Sequence, residues 1–237
     1  SQLTKINDAL FSSCILLTSI VIPNSVTSIG TSAFQGCVLL TSIILPNSVT
    51  SIGNFAFQNC SLLTSITIPN SVTTIGDRAF LSCNLSSITI PSSVTTFGYV
   101  PFEGNNNVQT IVINNPLCLN PGVLACGVSE VTSITFNAAG TIVDNVCANK
   151  PNLSSVTLGP AITSIGNSSF RELLKLTSIV IPASITSIGS YAFYSSPILS
   201  SVTFENTLEK LYKKINFRYI CQLNTRDYIT LIDIDIN

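Results

Sequence analysis

The chain has 237 residues, of which 46% are hydrophobic and only 9% charged, with a formal net charge of -1 and no His, Met or Trp. The sequence lacks the clustered Lys and Arg that attract the phosphates of a nucleic acid or the headgroups of an anionic membrane. No apolar run reaches the roughly 20 residues that span a bilayer. The composition therefore argues against a nucleic-acid partner and against insertion of this segment in a membrane.

The sequence begins in the middle of a repeating unit. Residues 1–14, SQLTKINDALFSSC, align with residues 24–37, NSVTSIGTSAFQGC. Neither an initiator Met nor a signal peptide opens the chain. We therefore expect a fragment of a longer protein, with at least one strand upstream and any signal or anchor outside the sequence.

The repeating unit is 23 residues long. Units that start at Cys14, Cys37 and Cys60 align without gaps. An apolar-x-apolar core recurs every 22 or 23 residues, and it starts at Ile20, Ile43, Ile66, Ile88, Ile111, Ile134, Val156, Ile179 and Val202. Such regularity is typical of a stacked array, so the sequence predicts a solenoid of about nine repeats.

Each unit opens with a predicted strand. From Leu17 the pattern alternates, so that Ile20 and Ile22 face one way and Ser19 and Val21 the other. Pro23 lacks a backbone donor and ends the strand. These segments predict a parallel β-sheet on one face of the solenoid, with short irregular or second-strand segments on the other.

The rest of the unit returns the chain to the next strand. Val26 and Ile29 anchor this returning segment to the core, and Gly30 is expected to provide a backbone angle that a Cβ would forbid. Phe34 follows and places a ring between strand layers. Its recurrence predicts an aromatic spine, formed by Phe34, Phe57, Phe80, Phe102, Phe170 and Phe193.

Two regions depart from the pattern. The fifth and sixth repeats, about residues 105–150, keep the strand but lose the Pro, the Gly and the Phe. The solenoid is predicted to cover residues 1–211. Residues 212–237 form a charged tail that is not a repeat, for which a C-terminal cap and a poorly packed end are the two interpretations.

The motif LTSIxIPNSVTSIGxxAFxxC closely resembles the BspA-like leucine-rich repeat class, over about residues 1–211. The resemblance implies a surface or secreted protein, in a class where some members act in adhesion and the repeats are not catalytic. It therefore implies an extracellular or cell-surface interaction role. It carries over no individual binding residue, because the motif defines a scaffold rather than a site.

Catalytic, cofactor and metal sites are not predicted. The chain has no His, its acids form no recurrent pair, and its glycines fall once per repeat rather than in a phosphate loop. Asp77, Glu103, Glu130, Asp144 and Glu172 are interpreted as exposed solubilising charges. Asn59, Asn84, Asn152 and Asn167 lie in glycosylation sequons, which a chain rich in Asn, Ser and Thr also produces by chance.

The eight cysteines are interpreted mainly as packing residues. Cys14, Cys37, Cys60 and Cys83 recur once per repeat, which predicts a column of buried thiols, with disulfides between neighbouring turns as the alternative. Close Cys pairs typical of zinc sites are missing. Cys118, Cys126 and Cys147 fall in the irregular repeats and are expected to be exposed, and Cys221 is not assigned.

The outward positions of the strands form the candidate binding surface. They are almost all Ser, Thr or Val, so either a solvated sheet or a flat platform is consistent with them; a platform would suit an extended protein, a glycan, a neighbouring copy or an ice lattice. The candidate residues are Ser65, Thr67, Ser87, Thr89, Thr110, Val112, Ser133 and Thr135, with Asn115, Leu119 and Asn120 from the irregular region.

The function predicted from these observations is a non-catalytic adhesion and recognition scaffold that binds a protein or a glycan. The irregular repeats are expected to give specificity, because loops that break register offer a unique shape. The alternative is a structural spacer or a self-associating stalk within a larger protein.

Overall fold

The structure is a computed structural model and describes residues 2–115 and 130–205. They belong to two compact units, Ser1–Val131 and Thr132–Asn237. Leu119, Asn120, Cys118, Cys126, Cys221 and the tail at 212–237 lie outside the described residues.

The first unit contains two sets of short parallel strands. The primary strands come from the leucine-rich segments and are β3 (Ser42–Ile44), β5 (Ser65–Thr67), β7 (Ser87–Ile90) and β9 (Thr110–Ile113). The second strands come from the returning TSIG segments and form one ladder: β1 (Lys5–Ile6), β2 (Ser28–Ile29), β4 (Ser51–Ile52), β6 (Thr74–Ile75) and β8 (Thr96–Phe97).

The second unit repeats this arrangement. Its primary strands are β10 (Ser133–Phe136), β12 (Ser155–Leu158), β14 (Ser178–Ile181) and β16 (Ser201–Phe204). Its second strands are β11 (Gly140–Ile142), β13 (Ile162–Ile165) and β15 (Ser187–Ile188), which pair in parallel in that order.

The chain is thus a parallel β-solenoid, as the repeat predicts. The described residues form eight primary strands, and the first predicted position contributes only an isolated bridge between Val21 and Ile44. The solenoid has about eight turns, against the nine repeats read from the sequence. The difference lies in how that first position is counted.

The core runs through the middle of each unit. In the first unit the rings of Phe11, Phe34, Phe57, Phe80 and Phe102 stack with centroids 5.2–5.4 Å apart. In the second, Phe170 and Phe193 stack at 5.5 Å, and Phe136 meets Phe170 edge-on at 6.1 Å. The predicted aromatic spine is therefore confirmed, and each ring is held by rings of the neighbouring turns.

The recurrent glycine has a different role from the predicted one. Gly30, Gly53 and Gly98 do not have positive φ angles. Instead a Cβ on Gly53 would lie 2.7 Å from the backbone of Gly30 and Thr31, and one on Gly98 would lie 2.1 Å from the amide nitrogen of Asp77. The prediction of a special backbone angle was wrong: glycine is needed because successive turns approach backbone to backbone.

Left-handed backbone occurs instead at two other places in each turn. The second residue before each spine phenylalanine has a φ near +50°, and this position holds residues as varied as Ser32, Phe55, Arg78, Val100 and Tyr191. A second such position precedes the cysteine column and is occupied by Gly36, Asn59 and Ser82 among others. These paired left-handed residues lie in the segment between the second strand and the cysteine of each turn.

Candidate functional site

The strand face brings together part of the predicted surface. The side chains of Ser65 and Thr67 on β5 are exposed, and so are those of Ser87 and Thr89 on β7. Ile88, which lies between Ser87 and Thr89 in the sequence, is buried. Parallel pairing sets Ile44 beside Thr67, and Thr89 beside Val112. Corresponding outward positions of paired strands therefore lie about 4.8 Å apart.

Other predicted members of the surface are less accessible. Thr110 and Val112 on β9 are half-buried, and so are Ser133 and Thr135 on β10 of the second unit. Ser133 pairs with Ser155, and Thr135 with Thr157. The most accessible part of the predicted surface is thus the set of four hydroxyl groups on β5 and β7, which we call the hydroxyl rows.

Asn115 does not belong to this surface. Only 1% of it is exposed, and its side-chain amide donates to the carbonyl oxygens of Val94, Ser92 and Pro91 in the preceding turn. Its placement on a binding surface was wrong. The carboxamide instead pairs buried backbone groups where β9 ends.

Hydroxyl groups at two positions of the returning segments are used by the fold. Thr50 and Thr73 donate to the carbonyl oxygen of the equivalent threonine one turn earlier, at 3.1 and 3.2 Å. Ser48 and Ser71 likewise donate to Val26 and Val49, at 2.6 and 2.7 Å. Within the described part of the chain, the hydroxyl rows make no such bond.

The exposed side chains on the strand face of the first unit change from apolar to hydroxyl-bearing along the chain. Beside the hydroxyl rows, the outward positions of the first two turns are Val21, 91% exposed, and Ile44, 83% exposed. Leu16, Leu39 and Leu62 form a second row of exposed apolar side chains just before the strands, and Leu16 is 79% exposed. We call these five residues the apolar rows.

Two acidic side chains take part in the fold. The carboxylate of Asp77 accepts a hydrogen bond from the Tyr99 amide at 2.6 Å, and Asp144 accepts from the Asn167 amide at 2.7 Å. These acids therefore cap the next turn, beyond the solubilising role expected of them. The recurrence of Asp or Asn at this position of the unit was the available signal.

Two arginines are held by neighbouring side chains. Arg78 lies 5.5 Å from the centre of the Tyr99 ring and 3.8 Å from a Glu103 oxygen. In the second unit Arg171 pairs with Glu172 at 2.5 Å and lies 5.8 Å from the ring centre of Tyr194. Sequence reasoning did not find either cluster, because the tyrosine of each comes from the turn after its arginine.

The cysteine column is buried except at its first member. The thiols of Cys37, Cys60 and Cys83 donate to the carbonyl oxygens of Phe11, Phe34 and Phe57, at 3.1–3.2 Å. Cys14, in the first turn, is exposed rather than buried as predicted. All five cysteines among the described residues carry free thiols, so the disulfide alternative is not realised there.

Cys147 is buried, so its predicted exposure was wrong. Its amide donates to Ser169 at 2.8 Å, as the amide of Phe170 donates to Ala192 in the regular turn that follows. Cys147 thus occupies the place of the spine phenylalanine. Burial raises the pKa of Cys83 and of Cys147 to about 12, which leaves both thiols protonated and unreactive at neutral pH.

No cluster of three or more metal-binding side chains occurs among residues 2–115 and 130–205. In the same residues we find no helix with the length and apolarity needed to cross a bilayer.

The repeat is shared with known proteins. The family model described as "BspA type Leucine rich repeat region (6 copies)" matches residues 1–117 and 126–232. No curated protein matches the sequence.

Solved structures similar to the chain are also found. The leucine-rich repeat protein of T. pallidum is 24% identical, with a TM-score of 0.50 over 73% of this chain and 71% of that one. A leucine-rich repeat protein from Bacteroides ovatus is 20% identical, with a TM-score of 0.44 over 86% and 78% of the two chains. A leucine rich cell surface protein from Faecalibacterium prausnitzii is 21% identical, with a TM-score of 0.36 over 88% and 85%.

The first of these likenesses supports the fold alone, whereas the family model covers well over half of the sequence. The chain therefore belongs to the BspA-type leucine-rich repeat family.

Proposed function

We propose that the chain is a non-catalytic recognition scaffold, exposed at a cell surface or secreted, that binds a protein or a glycan through its strand face. The resemblance of the repeat to that of surface and secreted proteins supports the proposed extracellular location. The observation that carries the binding proposal is the state of the hydroxyl rows. Hydroxyls of the returning segments, such as those of Thr50 and Thr73, donate to the backbone of the previous turn. Among the residues that the structure describes, the hydroxyls of Ser65, Thr67, Ser87 and Thr89 are instead exposed and make no hydrogen bond inside the fold.

This chemistry sets the kind of ligand. A hydroxyl both donates and accepts hydrogen bonds, and exposed hydroxyls on the strands of consecutive turns suit an extended ligand with repeated polar groups. Residues 9–76 contain no charged side chain, and residues 78–102 carry only Arg78. Recognition is therefore expected to depend on hydrogen bonds and apolar contact, and only weakly on salt.

The test is binding of the full chain to an array of extracellular-matrix proteins and glycans, at low and high salt. We expect binding that persists in high salt and is lost in Thr67→Lys and Thr89→Lys. Thr157→Lys, at an equivalent exposed position of β12 in the second unit, is the matched control and should bind normally. Loss of binding only in Thr157→Lys would move the site to the second unit, and no binding anywhere would favour the spacer alternative.

The irregular repeats are tested separately by removing residues 114–130. If these repeats give specificity, the shortened chain loses the ligand while Thr157→Lys keeps it. Unchanged affinity would leave the hydroxyl rows sufficient by themselves.

A further inference from the structure

We propose that Asn59 carries an N-linked glycan and that the other three sequon asparagines stay unmodified. The proposal rests on the proposed extracellular location, because such glycans are added to secreted chains. It goes beyond ligand binding at the hydroxyl rows. Asn59 lies in the segment between the second strand and the cysteine of its turn, not on a primary strand.

The acceptor motif at Asn59 is accessible in the folded chain. Asn59, Cys60 and Ser61 form a complete sequon, with a hydroxyl residue two positions after the asparagine. Asn59 and Ser61 are exposed, whereas Cys60 between them is buried. The hydroxyl of Ser61 makes only a long hydrogen bond, of 3.5 Å, to the carbonyl oxygen of Val38. Both side chains that define the motif therefore meet solvent.

The side chain of Asn59 has no task in the described fold. Its backbone amide donates to the carbonyl oxygen of Leu81 at 2.8 Å, and its φ of 60° is one that asparagine accepts better than most residues. Within residues 2–115 and 130–205, the carboxamide of Asn59 makes no hydrogen bond. The fold thus fixes the backbone at this residue and leaves Nδ2 available for a sugar.

The neighbouring turns leave room for that sugar. The position of Asn59 is occupied by Gly36 in the preceding turn and by Ser82 in the following one. Successive turns lie about 4.8 Å apart, so the first sugar must lie beside the residues of both neighbours. Gly36 has no side chain and Ser82 only a small one, so the space on both sides of Asn59 is open.

Asn167 is exposed as well, but the fold uses both ends of its carboxamide. Nδ2 donates to the carboxylate of Asp144 at 3.1 Å, and Oδ1 accepts from the backbone amide of Ser190 at 2.8 Å. Ser169, the hydroxyl residue of this sequon, is buried and donates to the carbonyl oxygen of Gly166 at 2.8 Å. A glycan on Asn167 would crowd contacts that join three consecutive turns.

Asn84 and Asn152 are half-buried, and each is held by the turn that follows. Oδ1 of Asn84 accepts a hydrogen bond from the side-chain amide of Asn107, and Oδ1 of Asn152 accepts one from the amine of Lys175 at 2.7 Å. Both asparagines occupy the place that Leu62 of the apolar rows holds in its turn, directly before a buried leucine. A glycan at either position would have to displace the long side chain beside it.

The modification joins Nδ2 of Asn59 to the anomeric carbon of an oligosaccharide. The donor is an oligosaccharide linked to a lipid through a diphosphate. The bond from the anomeric carbon to the diphosphate oxygen breaks, and the lipid diphosphate leaves with one proton of the amide. No oxidant or reductant takes part.

Expression of the full chain in mammalian cells, directed into their secretory pathway, tests the proposal. The intact mass is expected to exceed 25.2 kDa by one glycan, and peptide-N-glycosidase should remove the excess and leave an aspartate that peptide mapping places at residue 59. Asn59→Gln and Ser61→Ala should each lose the whole mass shift. Asn84→Gln, the matched control, should keep it.

The mass is measured in both the secreted and the cell-retained chain, and circular dichroism checks that the secreted variants are folded. A wild type without a glycan overturns the proposal. So does a glycan that remains in Asn59→Gln, or one found on Asn84, Asn152 or Asn167 of the folded chain.

The recognition function is measured apart from the glycan. Because Asn59 lies outside the primary strands, Asn59→Gln should bind the array of matrix proteins and glycans as the wild type does. The array therefore reports on recognition at the hydroxyl rows, and the mass reports on modification of Asn59.

Discussion

The thiol of Cys60 donates a 3.2 Å hydrogen bond to the carbonyl oxygen of Phe34, one turn earlier in the solenoid. Ser196 makes the same bond to Phe170 with its hydroxyl, and Asn105 makes it to Phe80 with its side-chain amide. Three chemically different side chains thus serve one position. The column therefore selects a small buried donor rather than a sulfur atom.

Cys60→Ser is expected to be milder than Cys60→Ala. Serine keeps the donor, whereas alanine loses it, so we expect alanine to cost about 1 kcal/mol more in the free energy of unfolding. Urea denaturation of the two variants measures the difference. A larger loss in the serine variant would show that packing of the sulfur outweighs the hydrogen bond.

Stability is expected to fall at alkaline pH because of the buried thiols. In the folded chain the pKa of Cys83 and of Cys147 is raised to about 12, so the unfolded chain, whose thiols titrate near 9, loses these protons first. The stabilisation is complete below pH 9 and disappears between pH 9 and about 12. The loss should approach about 1.4 kcal/mol per pH unit for each thiol.

Urea titrations at several pH values between 8 and 11 measure this loss. Cys83→Ser serves as the control, because it removes one of the buried-thiol titrations and leaves the tyrosines and lysines unchanged. A pH dependence that is identical in Cys83→Ser and the wild type would contradict the assignment.

Two glycines in consecutive turns should respond very differently to alanine. At Gly53 the new Cβ would lie 2.7 Å from the backbone of the previous turn, so Gly53→Ala must push two turns apart and should cost about 3 kcal/mol or more. At Gly36 the nearest atom is 3.6 Å away and only the left-handed φ of 73° opposes a side chain. Gly36→Ala should therefore cost about 1 kcal/mol.

Thermal unfolding of the two glycine variants ranks them. Similar losses at both positions would mean that the turns are more loosely stacked than the structure has them.

Val100→Asn is expected to stabilise the chain. Val100 has a φ of 40°, a conformation that is strained for a β-branched residue and that asparagine accepts much better. We expect a gain of about 0.5–1 kcal/mol in the free energy of unfolding. Thr89→Asn, which places the same residue in a strand, should instead lower stability slightly. A loss in Val100→Asn would show that packing of the valine methyls matters more than its backbone angle.

Structural features that depend on the side chains of a single turn are predicted well from the sequence. The spacing of Ile43, Ile66 and Ile88 locates the primary strands, and the recurrence of Phe57 and Phe80 locates the spine, because burial selects one kind of residue at those positions. The parallel register follows, since identical turns pair most simply in register.

Features that depend on the neighbouring turn are harder to predict. The left-handed positions hold Phe55, Arg78 and Tyr191, which share no preference for that conformation, because hydrogen bonds to the next turn impose it. Asn115 reads as a polar surface residue until the carbonyl groups it meets are known. From the sequence alone, Cys147 is predicted to lie in an irregular loop, whereas in the structure it is buried at the position of a spine phenylalanine.

Of the candidate binding surface, the sequence identifies the outward positions correctly for β5 and β7, because alternation alone decides which side of a strand meets solvent. The half-burial of Thr110 and Ser133 depends on the surroundings of the irregular repeats, which the strand pattern does not contain.

The close backbone approach at Gly30, Gly53 and Gly76 also limits how the protein can change in length. The backbone of each of these glycines lies against the backbone of the corresponding glycine in the next turn. An insertion of a few residues inside this part of the unit would therefore place a residue with a side chain against a neighbouring backbone. Adding or removing a unit of full length preserves these contacts between glycine backbones. Genes for chains of this kind are therefore expected to grow and shrink by duplication and loss of whole turns.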